Sequence, residues 1–269
     1  MIIGIDIGST TTKAVSIEDG KVTKRIKTRA LDAVTSATGA LGKLVLENGI
    51  KIDLIKKINI TGVGASNIKD DIFNIPTRRV NEIEAIGIGG MFLSGLNNII
   101  ITNIGTGTVI IEAGDKGISH FGGSGVGGGT ISGLAKKLLP SVEFKNIMEL
   151  AKTGKLNKVD LLLGDITDTS ISFLSGESTA SNFGKMLDTA NPPDIALALI
   201  NMVYQVIGVL SVFAARAKNS SQVIVTGRGS NNVIGQKVIA EITRMYGIEF
   251  VYPEFAEYTT AIGAGLSKK

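Results

Sequence analysis

Apolar and β-branched residues crowd the start of the chain, Ile2-Ile3-Gly4-Ile5-Asp6-Ile7. They break at Gly8-Ser9 and resume through Thr10-Thr11-Thr12-Lys13-Ala14-Val15. Two short apolar runs around a Gly-Ser turn predict a β-hairpin with Asp6 at its tip. Lys21 to Arg29 reads as a third strand. Asp32 to Glu47 reads as a helix, with Val34, Leu41, Leu44 and Val45 at helical spacing. Ile58 to Gly64 is a short strand ending in glycines, and Pro76 precedes another. Val80 to Ala85 leads into a helix holding Gly87, Gly89 and Gly90. Strands, helix, strand in this order predict a mixed sheet covered by helices.

The opening pattern then returns. Ile99 to Ile104, the turn Gly105-Thr106-Gly107, and Thr108 to Ile111 make a second strand, Gly/Thr turn and returning strand. Gly122 to Thr130 is a glycine run, with a helix expected from Ile131 to Leu139, and Val142 to Gly184 reads as helices and turns. A long apolar helix follows from Asp194 to Lys218. After it comes the parallel-type strand Gln222 to Thr226, with Gly227 and Gly229 at its carboxyl end, where ligands of open α/β sheets collect. Thr259 to Leu266 closes the sequence as a helix of small residues.

Composition narrows the class. Hydrophobic residues at 43% and charged ones at 19% describe a globular chain, and 269 residues are enough for one large or two medium domains. The 34 glycines cluster at turns, which points to several ligand-binding loops. The net charge of +4 is scattered, without arginine-rich runs, so no nucleic-acid partner is expected. Cysteine is absent, which excludes disulfides, thiolate nucleophiles and cysteine-held zinc or iron–sulfur clusters. Ile195 to Ala215 carries no charge, but Asn201, Gln205 and Ser211 interrupt it and Pro192-Pro193-Asp194 starts it, so it is expected to be a buried helix and not a membrane span. The chain starts on a core strand, leaving no stretch that reads as a leader. A cytoplasmic protein is expected.

The chemistry gathers at the turns. A carboxylate at the end of a buried strand needs a partner, and hydrated Mg²⁺ carrying nucleotide phosphates suits Asp6. Gly8 allows close approach of an anion, while Ser9, Thr10, Thr11 and Lys13 can donate to it. A structural hairpin with a capping Asp is the other reading of this stretch alone. Two such hairpins about a hundred residues apart are far more specific, because clasping one nucleotide between paired domains requires both. Gly127, Gly128 and Gly129 before a helix are expected to offer free N–H groups to phosphate.

Taken in order, these blocks resemble the actin, sugar-kinase and heat-shock ATPase superfamily. The Asp6 hairpin is similar to its first phosphate motif, Asn103 to Thr108 to its second, and Val223 to Gly229 to its adenosine motif. Within it the blocks Asn103 to Thr108, Gly125 to Thr130 and Gly176 to Gly184 resemble the type II pantothenate kinase (fumble-like) family. The resemblance implies an α/β, two-domain actin-like ATPase fold, with duplicated ribonuclease H-like domains at 1–97 and 98–269 and nucleotide in the inter-domain cleft. It implies ATP and Mg²⁺ as cofactors, with Asp6 on the metal. Gly8, Ser9, Thr10, Thr11, Lys13, Gly105, Thr106, Gly107, Thr108, Gly127, Gly128, Gly129, Gly227 and Gly229 would hold the nucleotide. Glu82-Ile83-Glu84 matches the family's E-x-[DE] context, which puts the catalytic base on Glu82, beside the acceptor. The implied activity is phosphorylation of the primary hydroxyl of pantothenate or pantetheine, the first step of coenzyme A biosynthesis. His120, the only histidine, stands where the family usually carries a substrate-contacting Arg ahead of the glycines, with Gly122 beside it, and this leaves the acceptor open. The related kinases pair through a long helix, so a homodimer through 194–218 is expected. A hexosamine or other sugar kinase remains an alternative, as does a non-catalytic ATPase or activator of a CoA-ester enzyme without an iron–sulfur cluster. The opening Gly-Ser-Thr-Thr-Thr-Lys is similar to such activators, but their iron–sulfur cluster needs cysteines.

Overall fold

The computed structural model describes residues 1–139, 146–167 and 175–268. It contains two five-stranded sheets of the same plan. The first is built from β1 (Ile2–Ile7), β2 (Thr11–Glu18), β3 (Lys21–Arg29), β4 (Lys57–Thr61) and β5 (Thr77–Arg79), in the order β3-β2-β1-β4-β5. The second uses β6 (Ile99–Ile104), β7 (Thr108–Gly114), β8 (Gly117–Ser124), β11 (Gln222–Thr226) and β12 (Glu249–Val251), in the order β12-β11-β6-β7-β8. In each, an antiparallel meander of three strands is extended by parallel strands on the other side of its first strand. Both predicted hairpins are therefore present. β9 (Leu161–Leu162) and β10 (Thr179–Ser181) form a two-stranded ribbon in a region read as helices and turns. The helices and turns expected over Val142 to Gly184 also span 142–145 and 168–174, which lie outside the described residues.

Seven helices among the described residues cover these sheets: α1 (Ala33–Asn48), α2 (Glu82–Ser94), α3 (Gly128–Leu138), α4 (Ile147–Ala151), α5 (Pro192–Ala217), α6 (Val233–Tyr246) and α7 (Thr259–Leu266). Caps fix their starts: Asp32 accepts from the Thr35 N–H, Asn81 from Ile83 and Glu84, and Asn232 from Ile234 and Gly235. α1 buries Ala37, Ala40, Leu41 and Leu44 against one face of the first sheet. Val34, read as part of that apolar face, lies in the first turn and points to solvent. α5, with α3 and α6, covers one face of the second sheet. It is the one helix among the described residues long and apolar enough to cross a bilayer, and most of its apolar stretch is buried inside the protein.

Between the sheets lie α2 and α7, in exchanged positions. α2 packs Ile86 on Ile101, Ile111 and Ile224 of the second sheet, while α7 packs Ala261 and Ile262 on Val15 and Ile17 of the first. Small residues permit this. A β-carbon at Gly263 would overlap the Ala85 carbonyl, one at Gly89 the Thr259 carbonyl, and one at Gly4 the Ala261 carbonyl. The glycines that lower the helix propensity of α2 thus allow backbone-to-backbone crossing.

Candidate active site

The carboxyl ends of β1 and β6 meet across the centre of the molecule. There the tips of the two hairpins touch, Ser9 Oγ sharing a 2.6 Å hydrogen bond with Thr106 Oγ1. Of the residues expected on the nucleotide, Gly8, Ser9, Thr10 and Thr11 surround the first tip, and Gly105, Thr106, Gly107 and Thr108 the second.

Asp6 is the last inward-facing residue of β1, opposite Lys13 on β2 and Thr61 on β4. Its Oδ2 lies 3.1 Å from Lys13 Nζ, with both side chains about nine-tenths buried. The lysine expected to meet phosphate therefore also neutralises Asp6. Thr61 Oγ1, on the same face, is buried without a hydrogen-bond partner. Beyond it Gly62 (φ 87°) folds the chain over the tip, where a β-carbon would come within 2.6 Å of Asp6 Oδ1.

Glu82 opens α2 next to this pair. Burial, then the neighbouring Asp6 carboxylate, raise its pKa above the ordinary glutamate value, and Lys13 opposes them. A half-buried carboxylate held more basic than usual, near a phosphate-type turn, suits proton acceptance. Glu84 turns elsewhere, its Oε1 accepting from Ser267 Oγ at 3.0 Å.

Around the second tip the structure corrects two expectations. Gly122 to Ser124 belong to β8, and the helix after the glycines starts at Gly128, not Ile131. The Gly128 and Gly129 N–H groups are not free: they donate to Gly105 O at 3.0 Å and Thr106 O at 2.8 Å. The glycine run presses on the hairpin as a buttress, and Thr108 Oγ1 donating to Val126 O at 2.8 Å ties it from the other side. Gly227 (φ 81°) and Gly229 lie over Ile104, as Gly62 and Gly64 lie over Ile7. His120 sits exposed on β8 opposite Ile111, on the sheet face that α2 covers, with Ile118 of the same strand packed against Gly87.

Three features escaped the sequence reading. The segment 60–67, Ile-Thr-Gly-Val-Gly-Ala-Ser-Asn, repeats as 225–232, Val-Thr-Gly-Arg-Gly-Ser-Asn-Asn, and comparing the two would have extended the expected duplication from the hairpins to the parallel strand and turn beside each. Asp160, fully buried, accepts from Asn201 Nδ2 (2.8 Å), the Phe183 N–H (2.9 Å) and Thr179 Oγ1 (3.1 Å), anchoring the Gly176 to Gly184 block to α5. Burial raises its pKa against those three donors. No local pattern marks Asp160, because its partners come from sequence-distant elements. The third, the contact of Ser267 with Glu84, joins residues 183 apart in sequence.

Compared with known proteins, the family model described as Fumble matches residues 97–267. The chain belongs to the Fumble family. Its relatives include the type II pantothenate kinase of Bacillus anthracis, 31% identical over 97% of this chain and 95% of that protein. The type II pantothenate kinase of Staphylococcus aureus (strain USA300) is 29% identical, with 98% of each chain covered. Among solved structures, the activator of 2-hydroxyisocaproyl-CoA dehydratase from Clostridium difficile with bound ADPNP superposes with a TM-score of 0.69 at 19% identity, covering 98% of this chain and 92% of that one. A ROK family glucokinase from Streptomyces griseus in complex with glucose and AMPPNP gives 0.61 at 16%, covering 98% and 97%. At those identities the likeness is one of fold, the actin-like ATPase and sugar-kinase fold expected from the sequence.

Proposed function

We propose that this Fumble family member is an ATP-dependent kinase that phosphorylates the primary hydroxyl of pantothenate, the first step of coenzyme A biosynthesis. Near-full-length similarity to type II pantothenate kinases supports the substrate class. The observation that carries the chemistry is Glu82, half-buried and more basic than usual, standing beside Asp6 where the two hairpins meet. Phosphoryl transfer to an alcohol needs positioning and charge stabilisation more than covalent help. Glu82 orients the hydroxyl and accepts its proton. The turns at Gly8 to Thr11 and Gly105 to Thr108 hold the phosphates from opposite sides, and the Gly227 turn lies under the adenosine.

Asp6 would hold Mg²⁺. Among the described residues no cluster of three or more acidic or histidine side chains could hold a metal by itself. One buried carboxylate next to phosphates is nevertheless the donor set Mg²⁺ uses, and the unpartnered Thr61 hydroxyl adds an oxygen on the same face. When bound, the ion neutralises charge on the phosphates. Lys13, opposite Asp6 on β2, would face the same anion.

His120 belongs to the acceptor side, since its strand lines α2 beyond Glu82. Replacing the five fixed donors of an Arg by an imidazole with at most two weakens anchoring of a carboxylate, which keeps pantetheine as a second acceptor. A homodimer forms through α5, whose Phe213 is 56% exposed on an otherwise apolar helix, and the enzyme works in the cytoplasm. The test is transfer from γ-labelled ATP to pantothenate, pantetheine and hexosamines by the purified protein. Label on pantothenate in the wild type, at a rate about two to four decades lower in Glu82→Gln, is expected; label on a hexosamine alone would overturn the assignment.

A further inference from the structure

Residues far apart in sequence converge behind Glu82. Arg78 on β5 donates from Nη2 to the Ser267 carbonyl (3.1 Å) and to Ser267 Oγ (3.0 Å). Ser267 Oγ then spends its own proton on Glu84 Oε1 at 3.0 Å. The hydroxyl therefore has a fixed polarity, accepting from a guanidinium and donating to a carboxylate, and it is almost fully buried. Asn59 Nδ2 holds the same segment through the Ala264 carbonyl at 2.8 Å. This junction joins three elements: the edge of the first sheet, the end of α7 and the first turn of α2.

The junction is poorly optimised for stability alone. Arg78 Nε and Asn59 Oδ1 are buried there without partners, an expense that native interiors usually avoid. What the arrangement does secure is the rotation of the first turn of α2. Glu84 and Glu82 are two residues apart, about 200° around a helix, so anchoring one on the α7 side fixes where the other points. Asn81 caps the same turn, accepting from the Ile83 and Glu84 N–H groups, and leaves it little freedom to rewind.

We infer that Arg78 and Ser267 are positioning residues that act through Glu84 to aim Glu82 at the hydroxyl it deprotonates. This rests on the reading of Glu82 as the base. Ser267→Ala removes the relay but leaves the Arg78 contact to the Ser267 carbonyl. It should lower kcat about tenfold, as misplacement of a catalytic group does, with KM for ATP unchanged within about twofold. Glu84→Ala should give the same loss, and the double variant no more than either. Glu84→Gln, which keeps an acceptor oxygen for Ser267, should recover most of the rate.

The deciding measurement is residual turnover in a Glu82→Gln background, where Ser267→Ala should change nothing further. A loss carried undiminished into that background, or a wild-type kcat for Ser267→Ala, overturns the inference while leaving Glu82 as the base. Near-wild-type turnover by Glu82→Gln alone removes the base itself, and the inference with it. Should Ser267→Ala fail to fold, Glu84→Ala measured in both backgrounds decides the same question.

Discussion

The two sheets share one plan, and the difference lies at their tips. In the first, Asp6 pairs with Lys13, and Thr61 stands beside it without a partner. In the second, Asn103 occupies the position of Asp6 and accepts a hydrogen bond from Thr226 Oγ1 at 3.0 Å. Gly62 and Gly227 take the same left-handed turn over them, at φ 87° and 81°. The passage from third strand to helix differs too. After β8 the glycine run closes on the hairpin through N–H bonds. After β3 the chain instead leaves an open pocket of about 440 Å³ beside Gly8 and Ser9, lined by Leu31, Val34 and Val63. One copy of the device is thus neutral, satisfied and tightly packed. The other keeps a charge pair and an orphan hydroxyl at its tip, and open space on its α1 side.

The comparison makes its largest demand on Glu82, which stands at the charged tip. Glu82→Gln should cost about two to four decades in kcat, the range a positioned acid–base group supplies, while ATP binding measured by calorimetry persists. Its pH behaviour follows from the same surroundings. The active form is the carboxylate and its pKa is raised, so the acid limb of kcat/KM should lie above the ordinary glutamate value of 4.5. Removing the Asp6 charge should move that limb back down. In stability the sign is reversed. A group with a raised folded-state pKa favours the fold while protonated, and this contribution is lost as pH rises through that pKa. Glu82→Gln should therefore unfold at higher urea than wild type at neutral pH.

Exchanging the tips tests the comparison directly. Asp6→Asn gives the first hairpin the chemistry of the second, and kcat/KM for Mg-ATP should fall roughly 10- to 100-fold, the usual effect of disturbing a metal's surroundings. It also leaves Lys13 buried without its partner. Asn103→Asp makes the opposite exchange, placing a second carboxylate against the phosphates. Repulsion of about 1.4 kcal/mol, or roughly tenfold in KM for ATP, is expected, with kcat little changed. Equal effects of the two substitutions on both parameters would mean that the tips are interchangeable.

How much of this was legible in the sequence follows from the range of the interactions. The hairpins at Asp6 and Asn103, α5 and α7 were readable because apolar periodicity, Pro192-Pro193 and the turn glycines are local signals. The Asp6–Lys13 pair was within reach, since hairpin register places the two residues opposite each other. The glycine run misled because free helix N–H groups and N–H groups spent on a neighbouring hairpin have identical sequences. The exchange of α2 and α7 between the sheets, the Asp160 anchor and the Ser267 junction depend on contacts between distant segments, and no window along the chain contains them.

The smallest expected effect is also the finest probe of the difference between the halves. Thr61 and Thr226 occupy equivalent places, each at the end of a buried parallel strand next to the residue at its hairpin tip. Thr226 Oγ1 donates to Asn103, so Thr226→Val removes a made hydrogen bond and leaves Asn103 Oδ1 short of a donor. A loss of about 1 kcal/mol is expected. Thr61 Oγ1 has no protein partner, so Thr61→Val replaces an unsatisfied buried hydroxyl by a methyl of the same shape, and stability should hold or rise by a few tenths of a kcal/mol. Urea unfolding of the two variants without nucleotide should therefore give shifts of opposite sign. Added Mg-ATP should then stabilise Thr61→Val less than it stabilises wild type, because the hydroxyl left unpaired in the protein is the one available to the ligand. Matching losses in the two variants without nucleotide would show that Thr61 is satisfied as Thr226 is, and the asymmetry of the tips would reduce to Asp6 and Lys13 alone.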